Sequence, residues 1–165
     1  MLKANFITAQ EAAEKIQDGS TLCTIGMTLV SASESILKAI EKRFEMVGHP
    51  ADITLVHSCG QSDRKDGIQH LAHEGLVKRI VGSHWGLQPR WMEMIANSQV
   101  EAYCLPQGQI AQLYRSMACG LPGKMSKVGL GTFIDPRVEG GKMNDRTKPL
   151  PDIVDILEYG GEDYM

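Results

Sequence analysis

No stretch of the 165-residue sequence approaches the roughly 18 consecutive apolar residues that cross a bilayer. The start, Met1 to Phe6, holds one lysine and no apolar run of the kind that opens a secretory signal. Positive charge is in short supply too. The formal net charge is −3, whereas a nucleic-acid binder shows a basic stripe or a high pI. An anionic small ligand stays compatible with that balance, because binding phosphate needs local amides and charge. The four cysteines, Cys23, Cys59, Cys104 and Cys119, form no CxxC pair, and their spacing suits no structural zinc. Three of them lie in strand-like or strand-end apolar contexts. The set reads as reduced, buried thiols of a cytoplasmic protein.

Several catalytic fingerprints are missing. There is no Gly-x-Ser-x-Gly elbow. Gly129-Leu130-Gly131 lacks the third glycine of a dinucleotide loop, and Gly123-Lys124 runs into Met125, where a phosphate loop needs Ser or Thr. His70-Leu71-Ala72-His73-Glu74 departs from a zinc-protease helix. That motif needs histidines four apart with glutamate next to the first, and here the spacing is three. A solvated or capping pair is the expectation, with no metal.

What is present is an ordinary globular composition, 42% hydrophobic and 22% charged, at a length that suits one domain. Helix and strand signals alternate. Thr8 and Glu11 form a capping box that opens a helix through Ala12, Ala13 and Ile16, ended by Asp18-Gly19. Thr21–Ile25 reads as a buried strand closed by Gly26. Ser31 and Glu34 predict a second capping box, followed by Ile36, Leu37, Ala39, Ile40, Phe44 and Val47 at helical spacing. Gly48-His49-Pro50 stops that helix.

Ile53–His57 is the next strand, with a turn at Ser58–Gly60 and a charged loop over 61–66. A short helix is predicted over 71–77 and a strand over 79–82. Trp91, Met92, Ile95 and Ala96 mark an amphipathic helix. A strand is expected over 100–105 and a helix over 109–118, with Ile110, Leu113, Tyr114 and Met117 on one face. Residues 128–133 form a late strand or turn. Short strands alternating with helices imply βαβ crossovers, hence an open, mostly parallel α/β sheet flanked by helices. After Ile134 the chain becomes loop-like, at Asp135-Pro136, Gly140-Gly141 and Pro149-Leu150-Pro151. A strand over 153–157, running into Tyr159-Gly160-Gly161, starts a new element just as the sequence stops. Residues 1–165 therefore read as one incomplete domain.

In such sheets ligands bind at the carboxyl ends of strands. Gly26 and the loop from Met27 to Ser33 could hold an anion at a helix start, or be an ordinary βα turn. Gln61 and Asp63 could touch a ligand or simply make a polar turn. His84-Trp85 could line a pocket, or serve packing. Leu105-Pro106-Gln107-Gly108 is the most telling strand end. Proline sets the approach, Gly108 permits close backbone contact, and the Gln107 amide can hydrogen-bond a carboxylate or thioester oxygen, or act as a cap.

Three long runs resemble class I coenzyme A transferases of the short-chain acyl type, those acting on propionate and acetate/acetoacetate. They are Ala72–Arg79 with His84-Trp85-Gly86, Glu101–Gly108, and Lys127–Arg137 continued by Gly140-Gly141-Lys142-Met143-Asn144-Asp145. The resemblance implies an enzyme of short-chain fatty acid or ketone-body metabolism. It would move coenzyme A from an acyl-CoA to a small carboxylate, with the coenzyme A thioester as substrate and no separate cofactor. It also implies two related α/β domains, on one chain or two subunits, and a homo-oligomer. A glutamate of the second domain attacks the thioester and becomes a glutamyl-CoA thioester. That glutamate has no counterpart here, so this chain holds no catalytic nucleophile.

The resemblance gives Gln107 the role of facing that glutamate and contacting the acyl oxygen. It maps the family's first glycine-rich loop onto residues 26–34. There the sequence departs from the pattern, with Met27-Thr28-Leu29-Val30 in place of glycines and Ser33-Glu34 in place of Pro-Glu. Gln61-Ser62-Asp63 departs likewise from Gln-Gly-Asp. Gln107, Gly108, Gly26, Gln61 and His84 are the expected substrate contacts. Competing readings are a non-catalytic acyl-CoA-binding or regulatory domain and an acyl-CoA hydrolase of the same superfamily.

Overall fold

The computed structural model describes residues 4–165. The reading of Met1–Phe6 as no secretory signal falls partly outside them. Four parallel strands, β1 (Thr21–Thr24), β2 (Ile53–His57), β3 (Val77–Gly82) and β4 (Glu101–Cys104), pair in sequence order. Parallel neighbours need crossovers, and these carry the helices. Helices α1 (Ala9–Glu14) and α2 (Glu34–Val47) flank β1. A 3₁₀ turn (Gly67–Leu71) precedes β3. Helix α3 (Pro89–Ala96) precedes β4, and α4 (Gln107–Ala118) follows it. No helix among the described residues is long and apolar enough to cross a membrane.

Alternation along the strands divides the core. Ile53, Leu55, Ile80 and Ala102 face α1, α2, the 3₁₀ turn and α3. Val56, Val81 and Tyr103 face the other way, onto Ile110 and Tyr114 of α4. The sheet is thus covered on both faces, as an all-parallel sheet requires. The open edge of β4 is closed by chain from the late segment. Cys104 N donates to Gly141 O at 2.7 Å, and Met143 N to Ala102 O at 3.0 Å.

That late segment is a clasp. Asp135, almost fully buried, accepts from the Gly131 amide and from the Arg137 side chain and amide. Arg137 reaches Asp163 on the hairpin of β5 (Leu157–Tyr159) and β6 (Glu162–Tyr164). The Arg137 guanidinium, then the Gly131 amide, hold the Asp135 carboxyl well below the usual carboxylate range. Asn144 donates to Ile95 O and Val100 O at 3.0 and 2.9 Å, tying the clasp to both ends of the α3–β4 turn.

Five expectations are corrected. Residues 71–77 form no helix: Gly75 takes φ +88°, and the Leu76 carbonyl accepts from Ile53 N, which draws the chain into β3. The cap of α2 is Ser33, with no side-chain capping bond, because the Glu34 carboxylate turns to the Gly67 amide and His70. On α3 the buried face is Trp91, Met94 and Ile95, and Met92 is exposed. Of the cysteines only Cys59 is buried, while Cys23 and Cys119 are exposed, on an edge strand and a helix end. The strand expected over 153–157 begins at Leu157, because the turn is Gly160-Gly161. The Thr8–Glu11 capping box stands as expected.

Candidate functional site

The carboxyl ends of all four parallel strands open into one cleft of about 540 Å³. Met27 and Thr28 come from the end of β1. Cys59 and Gly60 follow β2, and Ser83 and His84 follow β3. Cys104, Leu105, Pro106 and Gln107 close β4, and Leu87 and Ile134 complete the wall.

The β1 loop is tight. Met27 and Val30 exchange backbone hydrogen bonds at 3.1 and 3.0 Å, and Thr28 N donates to Gly60 O at 2.8 Å. Gly26 has φ +134°, and a Cβ there would sit 2.8 Å from Val30 O, so only glycine makes this turn. The His84 ring lies against two glycines. A Cβ on Gly60 or on Gly86 would come within 3.0 Å of it. Gln88 supports the same wall. With its amide oriented to satisfy both ends, it donates to His84 O and Trp85 O at 3.1 Å and accepts from Gln61 N at 2.8 Å.

The structure separates the expected contacts. Gln107 and His84 line the cleft, and both are exposed. Gln107 opens α4 behind Pro106, and the amides of Gln109 and Ile110 fold back onto Pro106 O. Gly108 is exposed beside it, and nothing inside the chain lies within 4 Å of where its Cβ would be. Gly26 shapes the loop that carries Met27 without lining the cleft. Gln61 turns inward: it is 1% exposed, and its side-chain amide donates to Thr24 O at 2.9 Å. Sequence reasoning missed Cys59, Ser83, Cys104 and Ile134. Each sits beside a strand end or in the clasp, but small residues in such places carry no chemical signal of their own.

No glutamate among the described residues lines the cleft. Glu34 and Glu41 instead hold His70, Nε2 to Glu34 at 2.8 Å and Nδ1 to Glu41 at 2.5 Å, and Glu41 also meets His73 at 2.9 Å. Burial pulls the His70 pKa down, but the hydrogen bonds to Glu41 and Glu34 outweigh it and raise it. Two groups here have the donors of a cation site: Glu34, Asp66 and His70, and Glu41, Glu45 and His73. In the first, the Lys38 ammonium already sits 3.0 Å from Glu34 and 3.3 Å from Asp66.

A parallel sheet whose strand ends converge on one cleft defines an open α/β domain, a fold in which ligands bind at the carboxyl ends of the strands. The coenzyme A transferase family model matches residues 6–165. The chain is 41% identical to a caffeate CoA-transferase of Acetobacterium woodii, over 98% of this chain and 31% of that protein. It is 36% identical to the acetate CoA-transferase YdiF of Escherichia coli K12, over 96% of this chain and 30% of the relative. The crystal structure of the YdiF apoenzyme from E. coli O157:H7 superposes with a TM-score of 0.86 at 35% identity, covering 96% of this chain and 31% of that one. The chain belongs to the coenzyme A transferase family. It spans about a third of the length of these relatives.

Proposed function

We propose that this chain forms one wall of a class I coenzyme A transferase site, moving coenzyme A between a short-chain acyl-CoA and a carboxylate acceptor. The glutamate that takes up coenzyme A belongs to a second domain or to another subunit. Some relatives are named as single subunits of such transferases, one from Bacillus subtilis at 28% identity and one from E. coli at 23%, and they support a divided site. An oligomeric, cytoplasmic enzyme is part of the same reading.

The observation that carries it is the placement of Gln107. It stands at the mouth of a strand-end cleft, on the first turn of α4, and its amide makes no hydrogen bond within the described residues. A carboxylate attacking a thioester builds negative charge on the acyl oxygen. A fixed amide donor outside water stabilises that charge more than it stabilises the ground state. Excluding water also raises the reactivity of the attacking carboxylate, which needs the second wall. Coenzyme A binding energy, spent away from the reacting carbonyl, helps drive the step.

The test is Gln107→Ala in the complete enzyme, with acyl exchange followed at saturating substrate. The turnover rate should fall by roughly tenfold to a thousandfold, as for loss of one oxyanion donor, while the melting temperature holds. An unchanged rate removes Gln107 from the chemistry.

A further inference from the structure

We infer that His84 is a second catalytic residue of the proposed transfer: its ring donates a hydrogen bond to the coenzyme A sulfur as the thioester breaks, and keeps the thiolate in the cleft for the next step. The inference rests on the transferase reading above and gives that site a residue for the leaving atom.

Two glycines make room for this ring. Gly60 and Gly86 are not among the glycines with positive φ, so their backbones do not call for glycine. What the missing side chains leave is space. A Cβ on Gly60 would lie 3.0 Å from His84 Nδ1, and one on Gly86 would lie 3.0 Å from Cε1 and Nε2. The backbone beneath the ring is held as well. Trp85 is buried beside it, and the buried Gln88 amide donates to His84 O at 3.1 Å. The ring is thus fixed at the cleft wall and exposed, and neither of its nitrogens has a hydrogen-bond partner among the described residues.

The other polar side chains of the wall have committed their protons to backbone carbonyls. Thr28 Oγ1 donates to Met27 O at 2.6 Å, and Cys59 Sγ to Gly26 O at 2.7 Å. Ser83 Oγ donates to Ser58 O, and Cys104 Sγ to Ser83 O at 3.8 Å. No Lys, Arg, Asp or Glu among the described residues lines the cleft. Two side-chain donors remain, the Gln107 amide and the His84 ring.

The transfer makes two atoms negative in turn. Attack by the carboxylate first charges the acyl oxygen, which falls to Gln107. The adduct then collapses. The C–S bond breaks, its electron pair leaves on sulfur, and the attacking carboxylate becomes half of a mixed anhydride. The thiolate next attacks the glutamyl carbonyl of that anhydride, forming the glutamyl thioester and releasing the acyl carboxylate. No proton moves in either step. A thiolate in a cleft without a cation needs a hydrogen-bond donor. A donor that keeps its own proton stabilises the sulfur and leaves it nucleophilic. His84 meets both requirements, and its bond holds the sulfur beside the anhydride.

The experiment uses the complete enzyme with acetyl-CoA and labelled propionate, and follows exchange and acetyl-CoA hydrolysis together. His84→Ala should lower the exchange rate by roughly tenfold to a thousandfold, as for loss of one donor to a developing charge. It should also raise the hydrolysed share of the acetyl-CoA consumed, because a thiolate that escapes leaves the anhydride to water. His84→Gln, which keeps a side-chain N–H, should restore part of both. Gln107→Ala should slow exchange without raising that share. Gly86→Ala, whose methyl would press on Cε1 and Nε2, should move the share in the same direction as His84→Ala and replaces it if that variant does not fold. An unchanged exchange rate, or a slower one with the hydrolysed share unmoved, overturns the inference and leaves the transferase reading intact. No exchange by the unmodified enzyme removes the transferase reading, and the inference with it.

Discussion

His57 is fully buried at the end of β2, with Trp85 edge-on at 5.8 Å. Its Nδ1 lies 2.8 Å from Cys59 O. A carbonyl can only accept, so Nδ1 carries the proton, and the ring is neutral with an unpartnered Nε2. Gly82 makes room for that nitrogen: a Cβ there would lie 2.3 Å from it. The contact fixes the Cys59–Gly60 turn that lines the cleft. Burial holds the pKa of His57 at about 4, against 6.5 for a free histidine, the Cys59 bond opposing and His84 adding to the shift. Below pH 6.5 the unfolded chain therefore takes up a proton that the folded chain refuses until about pH 4. Stability from this residue is present above 6.5 and declines as the pH falls toward 4, by up to about 3 kcal/mol. Urea midpoints measured across that window should show an acid loss that His57→Gln removes. Equal slopes for the two proteins would show that the ring already binds a proton when folded.

Local sequence signals built most of the elements, and the misses at Glu34 and Gln61 share one cause. The Thr8–Glu11 box works because both partners lie within one turn. Residues 53–57 read as a strand because a short β-branched run is bounded by turn residues, and the neighbouring strands only confirm it. Glu34 is no capping partner because the groups that claim its carboxylate are set by the fold: Gly67 N at 2.9 Å and His70 at 2.8 Å. A tertiary partner displaces a local one, and no spacing rule sees it. The same limit hid the meaning of the 127–145 run. Its residues are among those that resemble the family, yet apart from Ile134 they build the clasp, not the cleft. Strand ends were legible as site positions from topology alone, whereas the inward turn of Gln61 depended on a carbonyl of β1. The clasp makes its own test. Asn144→Ala leaves the Ile95 and Val100 carbonyls without their buried donor, and should lower unfolding stability by about 1–3 kcal/mol in a denaturant titration. A change below about 0.5 kcal/mol would mean that water replaces the amide, and that the β4 edge does not depend on this tie.

At the scale of the whole molecule, the sheet supplies a strand-end cleft with Gln107 at its mouth and no glutamate among the described residues on its wall. Glu34, Glu41 and Glu101 are each engaged elsewhere, in the His70 network and with Arg79 on β3. None lines the cleft. In the proposed transfer, catalysis requires a second surface carrying the attacking carboxylate, placed across from Gln107 so that water is excluded between them. The direct measurement is acyl exchange between acetyl-CoA and labelled propionate, by these 165 residues alone and then together with the glutamate-bearing half of a family relative. The account predicts background exchange from this chain by itself and exchange above background once the glutamate is supplied. Exchange above background from this chain alone would contradict it, since the attacking group would then have to lie within these residues.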